Sequence, residues 1–372
     1  MAELNLFEEA NRQLVICNAC RYCEGYCPVF RAIETRRDFT NGDILYLANL
    51  CHDCRACYYA CMYTPPHEFA INFPQIMAEV RMSSYERWSW PGILGKAFSR
   101  RSVGVLLAAA TMLVVLVAAL LLIPGENLFG THTGPGTFYQ VVPYPVMVGV
   151  GLALFFYAIL IWILGGSRFW SEAGGILRQP GGLKAMLDAI AKGLTLGHYD
   201  GGGAGCNYPG DEGSSSRRIF HIMTYWGMLS ALISTTLAFL YQHFLEWMPP
   251  YPLTSAPVIF GTVGGIALMI GTGGLIGIKW NSDPVPEGKG ASGMDYTFLV
   301  TLFLASLTGM LTLILRSTSA MGSILVIHLA SIAALFLTAP YGKFVHAVYR
   351  TLAIVRYSAE QSQADAKHAV GH

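Results

Sequence analysis

The sequence predicts a mostly α-helical protein in two parts: a small N-terminal helical domain built around cysteines, and a six-helix transmembrane bundle. Three observations predict it. The 372 residues are 53% hydrophobic and only 13% charged, where a soluble domain carries about 25% charged residues. Eight of the nine cysteines fall before residue 62, in regular spacings. From residue 103 onward, apolar runs of membrane-spanning length follow one another. The formal net charge of +1 gives no reason to expect a nucleic-acid partner.

The cysteines come first in the chain. Cys17, Cys20, Cys23 and Cys27 form one run, closed by Pro28, and Cys51, Cys54, Cys57 and Cys61 form a second with the same spacing. This is the bacterial ferredoxin spacing, in which three thiolates wrap one cubane and the fourth reaches the other. One 4Fe–4S cluster is therefore expected on Cys17, Cys20, Cys23 and Cys61, and the other on Cys51, Cys54, Cys57 and Cys27. The competing readings are unliganded thiols or a pair of zinc sites, which usually combine short C-x-x-C units instead of runs of four. Met62 stands where a proline would close the second run. Residues 1–15 are acidic and lack an apolar core of signal-peptide length, so the domain is expected to stay in the reducing cytoplasm.

Between the runs, Ile44, Leu47, Ala48 and Leu50 follow Thr40, Asn41 and Gly42, which predicts a helix with Asn41 as its cap. A helical two-cluster domain suits this better than a compact βαβ ferredoxin. With eight ligands already supplied, His52 and His67 are read as structural or solvated. Arg12, Arg21, Arg31, Arg36, Arg37 and Arg55 are candidates to attract an acidic partner face, or form a plain solvated surface. Trp88 and Trp90, just before the first span, read as interface anchors.

A bilayer core needs about 20 apolar residues per helix. Six stretches qualify: 103–123, 142–164, 219–244, 257–278, 296–315 and 323–349. Arg87, Lys96, Arg100 and Arg101 precede the first. Arg168, Arg178, Lys184, Lys192, Arg217 and Arg218 lie between the second and third, Lys279 and Lys289 between the fourth and fifth, and Lys343, Arg350, Arg356 and Lys367 near the end. Positive loops stay inside, so both termini are expected on the cytoplasmic side of a bacterial inner membrane, with Arg316 the one exception. The expected domains are 1–101, 102–356 with a cytoplasmic loop at 165–218, and a flexible tail at 357–372. Gly201–Gly203 and Ser214–Ser216 suggest flexibility in that loop.

Ionisable residues inside spans are costly and usually functional. His221 and His243 belong to the third stretch, 22 residues or about 40° off one helix face, and His328 and His346 to the sixth, 18 residues or one face again, at about 100° per residue. Antiparallel spans would place His221 with His346 at the inner end and His243 with His328 at the outer end. That is a layout for one or two b-type haems between histidine pairs; interfacial or core histidines are the plain alternative. The glycines of the fourth stretch (Gly261, Gly264, Gly265, Gly271, Gly273, Gly274 and Gly277) serve close helix packing, or else leave room for a porphyrin face. Cys206, the ninth cysteine, reads as a thiol in a loop, or as a docking or redox-sensing group.

The double cysteine run, the six spans and the run Gly201, Gly202, Gly203, Ala204, Gly205, Cys206, Asn207, Tyr208 and Pro209 together resemble the tricarballylate utilisation protein B family, also called citrate utilisation protein B, over essentially the whole chain. The cysteine domain is similar to those of succinate dehydrogenase or heterodisulfide reductase iron–sulfur subunits. The spacing of His328 and His346 is similar to the last haem helix of the nitrate reductase gamma subunit and other di-haem cytochrome b subunits. The resemblance implies electron transfer from the reduced flavin of a partner FAD-containing dehydrogenase, acting on tricarballylate, to membrane quinone. A membrane anchor or redox sensor with structural clusters, or an electron-transfer subunit for a different flavoprotein or a thiol/disulfide oxidoreductase, is the alternative.

Overall fold

The computed structural model describes residues 2–98, 103–173, 182–199 and 201–370. Arg100, Arg101, Arg178 and the side chain of Lys367, which enter the orientation argument, lie outside what is described.

Six short to medium helices form the N-terminal domain: α1 (Ala2–Cys20), α2 (Pro28–Glu34), α3 (Asn41–Leu50), α4 (Ala56–Tyr59), α5 (Phe73–Trp88) and α6 (Gly92–Phe98). Pro28 starts α2 directly after Cys27, where a missing N–H costs nothing. The cap of α3 is Thr40, one residue before the expected Asn41. Its hydroxyl accepts from the Asp43 amide while the Asp43 carboxylate accepts from the Thr40 backbone, the reciprocal arrangement that satisfies two orphan donors at once. Asn72 caps α5 by accepting from the Gln75 amide.

The bundle follows: α7 (Val103–Leu122), two short outer helices α8 (Gly125–Phe129) and α9 (Thr137–Val141), then α10 (Tyr144–Glu172), α11 (Gly182–Thr195), α12 (Ser216–Phe244), α13 (Ala256–Trp280), α14 (Ala291–Ile314), α15 (Met321–Thr338) and α16 (His346–Val370). Six of these, α7, α10, α12, α13, α14 and α15, are long and apolar enough to cross a membrane. Cys206–Asn207 and Gly213–Ser214 pair as a two-stranded antiparallel ribbon.

The glycines of α13 pack against α12. A Cβ on Gly264 would stand 2.8 Å from the Gly227 carbonyl oxygen, and one on Gly271 2.5 Å from the Thr224 hydroxyl. Close backbone approach of this kind is how helices associate in lipid, and it fills the space that a porphyrin face would need at these positions.

The sixth span is shorter than the sequence suggested. It ends at Thr338; Pro340 and Gly342 follow, and a new helix starts at His346. Proline lacks the N–H a continuing helix needs. His328 and His346 therefore stand on different helices, and the same-face argument for them fails. The segment 357–372, expected as a flexible tail, is helical through Val370. Tyr357 and Ser358 are buried, and Arg356 and Glu360 join Arg36 and Asp43 in one ionic network: Arg356 Nη2 to Asp43 Oδ1 at 2.8 Å, Arg36 Nε to the same oxygen at 3.0 Å, and Arg36 to Glu360.

α16 and the inner end of α10 thus belong to the core of the N-terminal domain. Trp88 is fully buried against Phe169 and Tyr349, with ring centroids 5.0 Å from each, and donates to Glu172. It is a core residue and not an interface anchor. The connection between α13 and α14 docks on the same domain, through Tyr59 Oη to Asp283 at 2.8 Å and Asn72 Nδ2 to the Val285 carbonyl at 2.8 Å. At the opposite end, Gly136 donates to the Pro249 carbonyl and Arg316 to the Tyr251 carbonyl. The exception to the charge rule thus has one of its donors satisfied by a local carbonyl.

Candidate iron–sulfur and histidine sites

Two adjacent cavities open in the N-terminal domain. The first is lined by Cys17, Cys20, Cys23 and Cys61, and Cys57 lines it as well as the second. The second is lined by Cys27, Cys51, Cys54 and Cys57. The fourth cysteine of each run lies in the other run's cavity, as the ferredoxin spacing predicts. Phe30 and Phe73, with ring centroids 5.2 Å apart, line both cavities and form their shared wall. The outer cavity reaches the surface: Cys20 is exposed, and Tyr22 and Met62 beside it are 57% and 60% exposed. The inner cavity is roofed over.

Burial pushes the thiols up, with neighbouring thiols adding to the effect: Cys17 and Cys23 to about 12, and Cys27 and Cys57 well above the ordinary range. Thiols raised in this way by burial need a cation to become thiolates. A single zinc ion with Zn–S bonds of about 2.3 Å would draw its thiolates within about 4 Å of one another. Among the described residues, no three side chains of ligand type stand close enough to hold one ion. The donor set fits iron–sulfur ligation.

The inner cavity is surrounded by arginines that sequence reading did not place there. Arg81 Nη1 donates to the Cys51 carbonyl at 3.0 Å and Arg350 Nη2 to the same oxygen at 2.7 Å. Arg217 donates to the His52 and Asp53 carbonyls at 3.0 and 2.6 Å. Arg55, expected at a docking surface, is 1% exposed with its guanidinium 4.0 Å from the Tyr208 ring centre. Arg36 is taken up in the α16 network and Arg12 in a pair with Glu9, which leaves Arg21, Arg31 and Arg37 at the surface.

The glycine-rich run is an ordered roof over this cavity. Gly201, Gly202, Gly203 and Gly205 all have positive φ, from 53° to 101°, conformations that favour glycine. They turn the chain so that the Asn207 amide donates to the Cys54 carbonyl at 2.8 Å and Tyr208 Oη to Asp53 Oδ2 at 2.9 Å. Cys206 is buried beside Cys54 and, after burial itself, is the main cause of the Cys54 rise to about 12. It is part of this roof and not of an open loop. His52 is buried with Nδ1 2.8 Å from the Leu50 carbonyl, and His67 Nδ1 accepts from the Phe69 amide at 3.1 Å; both have structural roles.

Of the four membrane histidines, two come together. His221, near the start of α12, and His346, at the start of α16, have ring centroids 6.1 Å apart and planes at 88°. Imidazoles on opposite sides of one iron, with metal–nitrogen bonds of about 2 Å, have centroids about 6 Å apart. His346 Nδ1 bonds the Lys343 carbonyl, which leaves Nε2 for a metal, the usual division of labour in a ligating histidine. Lys343 in turn pairs with Asp295 at 2.7 Å, and Asp295 with Lys279 at 2.9 Å. The outer pair does not form. His243 is exposed and stacked on Phe239, at 5.3 Å and 9°. His328 is held by α14, with Nδ1 3.1 Å from the Ala305 carbonyl and 3.2 Å from Thr308 Oγ1.

Two cysteine-lined cavities on a helical domain, set at one end of six membrane-length helices, define a multi-pass membrane protein with an electron-transfer role. The chain belongs to the citrate utilization protein B family. The family's sequence profile matches residues 96–367, and that of its Fer4-like domain matches residues 10–87. Citrate utilization protein B of Escherichia coli is 40% identical over 354 residues, covering 95% of this chain and 92% of that protein. No solved structure matches the chain.

Proposed function

We propose that the chain passes electrons from the reduced flavin of a partner dehydrogenase to membrane quinone, in the use of citrate or tricarballylate as the family resemblance implies. The observation that carries the reading is the crossed partition of eight cysteines into two adjacent cavities, with the His221–His346 pair on the membrane side of the inner one. Cys17, Cys20, Cys23 and Cys61 hold one 4Fe–4S cluster, Cys27, Cys51, Cys54 and Cys57 the other, and His221 with His346 one b-type haem. When bound, these groups supply one-electron redox chemistry to a pathway whose ends, flavin and quinone, carry two electrons.

The protein's own residues give the path a direction. Exposed Cys20, with Tyr22 and Met62, presents the outer cavity to a soluble donor. Phe30 and Phe73 keep water from between the cavities. Arg81, Arg217 and Arg350 place positive charge at the inner cavity, against the Asp53 carboxylate; this favours added negative charge there and so raises its reduction potential relative to the outer one. The end of the bundle that carries this domain, with its Lys- and Arg-rich connections, faces the cytoplasm of a bacterial inner membrane, and both termini lie on that side.

Anaerobic purification in mild detergent, with iron and sulfide assays, a pyridine haemochrome and dithionite-reduced spectra, tests the reading. About eight non-haem irons per chain, as two cubanes require, with reduced b-type bands that fade on adding a quinone are the expected result. Iron and sulfide without haem would remove the role of His221 and His346. A preparation with full iron that no quinone reoxidises would remove the electron-transfer path to the membrane.

A further inference from the structure

Tyr199 lies between the inner cavity and the histidine pair. It is 2% exposed. One side of its ring packs on His52, with centroids 4.9 Å apart, and His52 directly follows Cys51 in the chain. The ring also packs on His221, at 5.4 Å. The Tyr199 hydroxyl accepts from Arg350 Nη1 at 3.1 Å, while Nη2 of the same guanidinium donates to the Cys51 carbonyl. Arg350 stands four residues after His346 on α16, so the two share a helix face. The Arg217 guanidinium is 5.4 Å from the ring centre and holds the His52 and Asp53 carbonyls. These contacts join the cysteine loop on one side to the histidine pair on the other.

We infer that Tyr199 is a bridging residue: its ring, clamped by Arg350 and Arg217, is the packed path between the site of Cys27, Cys51, Cys54 and Cys57 and the His221–His346 pair. The inference rests on the electron-transfer reading above and adds which side chain connects its two halves. A continuous run of rings from His52 through Tyr199 to His221 leaves no gap for water, so electronic coupling runs through packed atoms and geometry stays fixed during transfer. Each transfer moves one electron and makes or breaks no bond. With clusters and haem held at these residues, a donor on the cysteine side would be oxidised as an acceptor at His221 and His346 is reduced, and two such transfers with two protons from water would reduce one quinone. A merely space-filling tyrosine would affect iron content and stability without changing transfer selectively.

The test uses the full-length protein in detergent, reduced with dithionite and mixed with menadione, with the iron–sulfur signal followed by freeze-quench electron paramagnetic resonance. Tyr199→Leu removes the ring and Tyr199→Phe keeps it. With iron and sulfide unchanged and dithionite reduction at the wild-type rate, Tyr199→Leu is expected to slow reoxidation by at least about tenfold, the scale of losing one close contact between reacting centres. Tyr199→Phe, which keeps the ring but loses the hydroxyl that accepts from Arg350, is expected to lie much closer to wild type than to the Leu variant. A fully loaded Tyr199→Leu protein that reoxidises at the wild-type rate overturns the inference, as does a Phe variant as slow as the Leu variant. Should Tyr199→Leu lose iron, Tyr199→Met replaces it; loss of iron in both makes the ring a structural support and overturns the bridge. If menadione fails to reoxidise even the wild type, the quinone reading falls by itself, and the bridge is judged on the rate at which the b-type bands reduce after dithionite, with the same comparison of variants. A wild type without those bands overturns both.

Discussion

The carboxylate of Asp43 serves α3 and α16 at once. Burial pushes its pKa up, but hydrogen bonds from Thr40, Arg36 and Arg356 and the Arg36 charge outweigh that and pull it down to about 2. The folded value lies below the unfolded value of about 3.9, so the carboxylate's stabilisation is complete above about pH 4 and is lost as pH falls toward 2. Asp43→Asn is expected to melt below wild type at pH 6, with the difference shrinking across that interval; a difference that stays constant with pH would show that the ion pairs contribute nothing. At this scale the sequence was legible where chemistry repeats at fixed spacing. The eight cysteines could be assigned to two sites because the fourth member of each run has one place to go. Tyr199, Arg81, Arg217 and Arg350 carry no such spacing. They come from three distant parts of the chain, Tyr199 and Arg217 from one of them, and only folding brings them together.

At the scale of elements, the contact of α12 with α13 is the tightest test of packing. A Cβ on Gly271 would meet the Thr224 amide nitrogen at 2.7 Å and the Phe220 carbonyl oxygen at 2.8 Å, whereas one on Gly277 meets nothing within 4 Å. Gly271→Val is expected to cost about 1–3 kcal/mol through overpacking, read as a lower thermal midpoint in detergent, with Gly277→Val close to wild type. Equal effects would mean that the helices part easily. Four spans matched their apolar runs within about five residues, and the second runs on past its expected end to Glu172. The sixth did not, because its apolar character continues through Ala339, Tyr341, Phe344 and Val345 while Pro340 and Gly342 break the backbone. Hydropathy measures solvent preference, and helix phase is reset by one missing N–H. The His221–His346 pair was therefore found for a reason other than the one the sequence suggested: His346 enters from the helix after the break. His243 and His328, placed together by the same arithmetic, stay apart.

At the scale of the whole molecule, the two halves differ in what holds them. The bundle is held by apolar helix packing, the N-terminal domain by a core interrupted by two cysteine-lined cavities. Removing iron with an anaerobic chelator is expected to open that domain first, seen as new protease cuts between residues 10 and 87 while the spans stay intact; cuts appearing first in the outer loops would contradict this. The domain is also closed by the last part of the chain. Arg36 and Glu360, which pair directly, stand 324 residues apart. At about 5–20 residues per second of synthesis, roughly 15–65 s separate the two from each other on the ribosome. The first domain made is thus the last completed, and all six spans must enter the membrane while its cysteines wait. A chain cut short before α16 would lack both His346 and this closure, so the N-terminal core is complete only on chains translated nearly to their end.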